Sequence, residues 1–85
     1  MTDQTKETPM TFAIRNLSVL SYAQGFTLWH YKARGPLQDT SAEGFFDAVA
    51  DTLPIGDMIL ISASDGGRVV FVQAITPHVV VVSLS

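Results

Sequence analysis

An 85-residue chain has room for one small domain and not two. Its formal charge is −3 and it contains no block of Lys or Arg, so it lacks the electrostatic footprint of a nucleic-acid binder. It has no cysteine, which excludes disulfides and thiolate metal sites.

Hydrophobic residues make up 47% of the chain and charged residues only 15%. A domain this small buries roughly 60–65% of its unfolded surface. With so few charges, much of the remaining surface is apolar or neutral polar, which points to an oligomer or a larger assembly. Residues 1–9 are polar and carry no apolar stretch of the signal-peptide kind. The longest apolar runs fall far short of about 18 residues, so no transmembrane helix is expected.

Residues 1–11 offer almost nothing to bury and read as an arm that orders only on a partner. In residues 12–22 the pairs Phe12/Ile14 and Leu17/Val19 show a period of two. The stretch reads as extended, an arm lying across a neighbour; a short helix through Leu17, Leu20 and Ala23 is the alternative. Gln24 and Gly25 punctuate it. Residues 26–33 form a good strand, with Phe26, Leu28 and His30 on one face and Thr27, Trp29 and Tyr31 on the other. Arg34-Gly35-Pro36 ends it.

Residues 40–53 read as the single helix. Thr40 and Glu43 have the spacing of a capping box, and Ser41 competes as N-cap. Phe45, Val49 and Leu53 recur at i, i+4, i+8 with Phe46 and Ala50 beside them, a buried stripe. Pro54 stops the helix. Residues 56–75 then read as two strands around Ser64-Asp65-Gly66-Gly67, with the glycines supplying positive φ. Met58 to Ile61 and Val69 to Val72 are unbroken apolar runs, so both faces of this hairpin should be covered. Thr76-Pro77-His78 makes a second turn. Residues 79–84 form a last strand, whose four successive valines need pairing within the sheet or across a subunit boundary.

No stretch carries a reaction. There is no Gly-x-Ser-x-Gly elbow, and two histidines without clustered carboxylates make a poor metal site. His30 reads as a hydrogen-bonded packing residue and His78 as solvated. Asp65-Gly66-Gly67 could form an anion-binding nest, but a hairpin turn explains the same residues. Glu43, Asp47 and Asp51 make an acidic stripe at helical spacing. It is either a solvated face or the partner of Arg15, Lys32 or Arg34, from this chain or a neighbour. Trp29, Tyr31 and Tyr22 suit packing at a core or interface; a sugar-binding platform on Trp29 and Tyr31 is the competing use.

The run from Asn16 through Tyr22-Ala23-Gln24-Gly25-Phe26-Thr27-Leu28-Trp29-His30-Tyr31 to Lys32 resembles the opening of a group of small virion proteins of tailed phages and prophages of alphaproteobacteria. Gly44-Phe45-Phe46-Asp47-Ala48 with Ala50 is similar to that group's Gly-Tyr-Phe-x-x-Ala element. Ile55-Gly56-Asp57-Met58-Ile59 is similar to its Val-Gly-Asp-hydrophobic strand start. The likeness covers all but the N-terminal arm and departs at Arg34-Gly35-Pro36-Leu37, where many members have a short Asp-containing segment. It implies a head decoration or cement protein, or a fibre or spike component, with no catalytic residue to carry over.

The expectation is therefore a mainly β fold, a small barrel or sandwich of about four to six strands with one short α-helix. Residues 1–25 are the arm and residues 26–85 the domain. The expected function is a capsid decoration protein, homotrimeric, bound to the major capsid protein at the phage head surface and made in the bacterial cytoplasm. No enzymatic activity, cofactor, nucleic acid or membrane is expected. A head-fibre or tail-associated subunit, or a carbohydrate-binding module, are the alternatives. The interface is assigned to Phe12, Ile14, Leu17, Val19, Leu20, Tyr22, Trp29, Tyr31, Val70, Val72, Val80 and Val82.

Overall fold

The computed structural model describes residues 12–84. The fold is mainly β. A 3-10 turn at Ile14–Asn16 leads into β1 (Leu17–Ala23), then β2 (Phe26–Lys32). A crossover follows, holding the short helix α1 (Leu37–Thr40) and a 3-10 turn at Asp47–Val49. The chain ends in a meander, β3 (Met58–Ala63), β4 (Gly66–Ala74) and β5 (Val80–Ser83). The five strands form one sheet in the order β1-β2-β3-β4-β5. All neighbours are antiparallel except β2 and β3. A parallel pair cannot be joined by a tight turn, and the crossover supplies the return path.

The turns follow from local chemistry. Gln24 (φ 52) and Gly25 (φ 82) form the two-residue connection of β1 to β2, where Ala23 pairs with Phe26. Two successive positive φ values give the turn whose twist matches the flanking strands. Ser64 and Asp65 make the β3–β4 turn, with Ala63 opposite Gly66. Gly66 has φ 146, whereas Gly67 has no positive φ, so only one of the two glycines plays the part expected of both.

Strand alternation sorts the side chains into two faces. Val19, Trp29, Ile59 and Val70 lie in one cross-strand row, and Leu17, Tyr31 and Ile61 in the next. The crossover covers this face with Phe46, Val49 and Leu53, closing a core that also holds Ala33, Val72 and Val79. Phe12 stacks on Tyr31 at 5.2 Å, and Phe45 and Phe46 meet both rings edge-on. Those T-shaped contacts suit the aromatic quadrupoles.

The helix expected over 40–53 is not formed. Gly44 takes φ +86, outside the helical region. Around it the bonds run three residues back: Phe45 N–H to Ala42, Asp47 to Gly44, Val49 to Phe46 and Ala50 to Asp47. Thr40 is no cap; its hydroxyl donates to the Leu37 carbonyl at 2.7 Å. The Gly44 N–H instead reaches the Val79 carbonyl at 2.9 Å, a tertiary bond that an uninterrupted helix would forgo. The apolar stripe itself survives, because Val49 and Leu53 are buried and Phe45 half-buried.

The expected arm needs a boundary correction. Residues 1–11 lie outside the described residues. Leu17–Ala23, assigned to the arm, is a strand of the domain sheet, hydrogen-bonded to β2. The alternative short helix there does not occur, since Ser18, Val19 and Ser21 pair in register with His30, Trp29 and Leu28.

Candidate functional site: an uncovered sheet face and its edges

The residues assigned to an interface divide sharply. Trp29, Tyr31, Val70 and Val72 are core residues of this chain, from 9% exposed for Trp29 down to 0% for Val72. They cannot meet a neighbour, because the crossover packs on the side of the sheet to which they point. Phe12 and Leu17 are half-buried against the same core. Val80 and Val82 are half-buried in β5. Ile14, Val19, Leu20 and Tyr22 are exposed, with Tyr22 at 68%.

Trp29 is tied down as well as buried. Its indole N–H donates to the Asp57 carboxylate, whose other oxygen accepts the Thr27 N–H at 3.2 Å. The Asp57 carbonyl accepts the Val72 N–H at 2.9 Å, so this residue links β2 to β4 just ahead of β3. A buried carboxylate is tolerated here because donors surround it. Sequence reasoning noted Asp57 only as part of a strand start. A lone Asp before an apolar run, one strand away from a Trp, was the available signal. Tyr31 is likewise engaged, its hydroxyl accepting the Ala13 N–H at 2.9 Å. Neither aromatic offers an open platform to a sugar.

The acidic stripe has dispersed, because its residues do not share a helix. Asp47 accepts two hydrogen bonds at 2.7 Å, from the Val79 N–H and from the His78 ring through Nδ1. His78 is exposed as expected, but it is ion-paired rather than merely solvated. The Val79 hydrogen bond, then that of His78, holds the Asp47 carboxyl below its usual range, and the Asp47 bond and charge raise His78. Glu43 and Asp51 are exposed, and among the described residues neither they nor Asp47 pair with Arg15, Lys32 or Arg34. His30 shares a hydrogen bond with Ser62 at 2.9 Å, the packing role assigned to it. Asp65 accepts the Leu37 N–H at 3.0 Å, so this turn binds its own crossover rather than an anion. Among the described residues no three His, Asp or Glu side chains cluster as metal ligands.

The other face of the sheet is different. Its rows are Ser21, Leu28, Met58, Phe71 and Val82, then Ser18, His30, Leu60 and Val69. The apolar members of these rows are half-buried, and none belongs to the core cluster or packs against it. Among the described residues no element crosses this face. An antiparallel sheet that meets water on one side normally alternates apolar and polar residues. Here β3 and β4 are apolar on both sides, and among the described residues the expectation of two covered faces is met on one face only.

No protein family, curated protein or solved structure matches this chain.

Proposed function

We propose that this chain is a structural subunit of an assembly. Its specific role is that of a decoration or cement protein on the head of a tailed phage, in contact with the major capsid protein and with copies of itself. The observation that carries the reading is the uncovered face of Leu28, Met58, Leu60, Val69, Phe71 and Val82. A contiguous apolar face on a small domain marks a protein contact. The phage setting comes from the sequence resemblance. The burial of Trp29 and Tyr31 removes the support for a carbohydrate-binding module. A head-fibre or tail-associated subunit uses the same face and differs only in its place on the particle.

The test is binding to purified heads of a phage that encodes this chain, stripped of it and then re-exposed. The chain should sediment with the heads and saturate at a fixed number of copies per shell. Leu60→Asp should abolish co-sedimentation while leaving the circular dichroism spectrum unchanged. Absence of the chain from purified particles, together with no binding to stripped heads, would remove the decoration role.

A further inference from the structure

We propose that the uncovered face receives an apolar surface of the shell protein that sets a carboxylate against Lys32 and no charge against His30, and that acid releases it. The inference rests on the assembly reading and names the chemistry of the partner at that same face.

The placement of charge supplies the first argument. None of the five strands contains Asp or Glu. Of the carboxylates next to the sheet, Asp57 is turned to Trp29 in the core and Asp65 accepts the Leu37 N–H. The cations on the strands are Lys32 and Arg68. Arg68 shares the row of Tyr31 and Ile61 on the covered side and donates to the Ser41 hydroxyl at 3.2 Å. Lys32 shares the row of Ser62 and Gly67 on the uncovered side. It is exposed at the last position of β2 and has no ion pair among the described residues. The face is thus apolar over its middle and positive at one end.

That pattern disfavours two other occupants. A second copy laid face to face would bring no carboxylate to Lys32, because its own face has none. Residues 1–11 contain Asp3 and Glu7, but their apolar side chains are Met1, Pro9 and Met10, too few to cover the rows from Leu28 to Val82. The middle of the face fits an apolar surface of another protein, and Lys32 fits an acidic group at the rim of that surface.

His30 supplies the second argument. Its neighbours on this face are Ser18 on β1, Leu60 and Ser62 on β3, and Leu28 and Lys32 on its own strand. The Ser62 hydroxyl lies 2.9 Å from Nε2 and satisfies one ring nitrogen. On protonation both ring nitrogens donate and the ring gains a charge. Lys32 beside it has the same sign, and Arg15 before β1 and Arg34 after β2 add more of it. Covering the face would take the charged ring out of water with no carboxylate beside it, which is strongly unfavourable. The neutral ring is therefore the form that docks. Docking is complete above the range in which imidazoles take up a proton and is lost as pH falls through it. The Asp47–His78 pair works in the opposite sense on the alkaline side, since the His78 contribution is lost as pH rises. The two histidines are thus separable.

The test is co-sedimentation of the full chain with stripped heads over a series from about pH 7.5 to about pH 5, where imidazoles titrate. Affinity should fall by about tenfold per pH unit through the acid part of that range. His30→Gln, or His30→Asn where the first does not fold by circular dichroism, should flatten the profile. His78→Gln should leave the acid release in place. Lys32→Ala should weaken binding about two- to fivefold at neutral pH, and Lys32→Glu should weaken it further. Binding that is flat or strengthens in acid, an acid release that survives in the His30 variants, or indifference to Lys32→Glu would each overturn the inference and leave the decoration role standing. A self-associated chain that Leu60→Asp turns into a monomer with head binding intact gives the face to a second copy and overturns it too. Tighter binding after removal of residues 1–11 gives the face to those residues, with the same result. No binding at any pH removes the role itself, and the inference with it.

Discussion

The indole N–H of Trp29 reaches the carboxylate of Asp57 at 3.0 Å, both groups being buried. The same carboxylate holds the Thr27 N–H, so one side chain fixes the beginning of β2 against the beginning of β3. Asp57→Ala strands two donors. Each buried donor left unpaired costs about 1–3 kcal/mol. Asp57→Ala should lower the urea midpoint accordingly, and Asp57→Asn, which keeps one acceptor oxygen, should lower it less. Equal midpoints for both variants would mean that the one retained acceptor oxygen contributes nothing and that both carboxylate oxygens are needed.

Phe46 is 1% exposed and meets Phe12, Tyr31 and Phe45 edge-on. Phe46→Ala should cost about 3–5 kcal/mol. Phe45→Ala should cost less, because Phe45 is only half-buried. Chemical denaturation of the two variants checks the order.

The Asp47–His78 pair makes stability depend on pH from two sides. His78 is raised above its ordinary 6.5, chiefly by the hydrogen bond to Asp47. Its contribution is therefore full below 6.5 and is lost as pH rises through the raised value. Asp47 is lowered from its ordinary 3.8, chiefly by the Val79 hydrogen bond. Its contribution is full above 3.8 and is lost as pH falls through the lowered value. Both side chains are exposed, so salt should weaken the effect. The melting temperature should show a plateau between the two ordinary values, and His78→Gln should abolish the alkaline shoulder.

Gly44 separates backbone strain from contact. A Cβ there would lie 3.1 Å from the Asp47 carboxylate at φ +86, whereas at Gly25, φ +82, nothing lies within 4 Å. Gly25→Ala should cost roughly 1–2 kcal/mol through strain alone. Gly44→Ala should cost more and should also flatten the pH profile of the Asp47–His78 pair. A matching loss in both variants, with the pH profile intact, would show that the carboxylate moves aside freely.

Much of the sheet was legible in the sequence. The β3–β4 hairpin, the β2 strand and the final valine strand follow from β-branched runs broken by Gly and Asp, which are local signals. The crossover was not legible as a helix or otherwise, because its conformation is decided at a distance. The Val79 backbone captures the Gly44 N–H and the Asp47 carboxylate, and residue spacing within 40–53 does not contain Val79. The same limit misassigned Val70 and Val72. In a strand apolar on both faces, alternation says which residues travel together, but not which set the crossover will cover. Val19 and Tyr22 were assigned to an interface for their apolar character, and both are exposed on β1, where only their backbones pair with β2.

The parallel ladder between β2 and β3 is a seam. On one side lies a hairpin closed by Gln24 and Gly25; on the other lies a three-stranded meander. Each half can form from neighbours in sequence, which is fast, while the seam waits for the whole crossover to be threaded into place. Its fastenings are the Asp57 carboxylate at one end, the Ala33 N–H to the Ser62 carbonyl at the other, the His30–Ser62 side-chain hydrogen bond, and the ladder between. Under mechanical load or partial denaturation the molecule should part there, leaving two local pieces. Two chains opened at that line carry matching halves, so each hairpin can re-zip onto the other's meander. Exchange of hairpins between copies is thus written into the order of the strands.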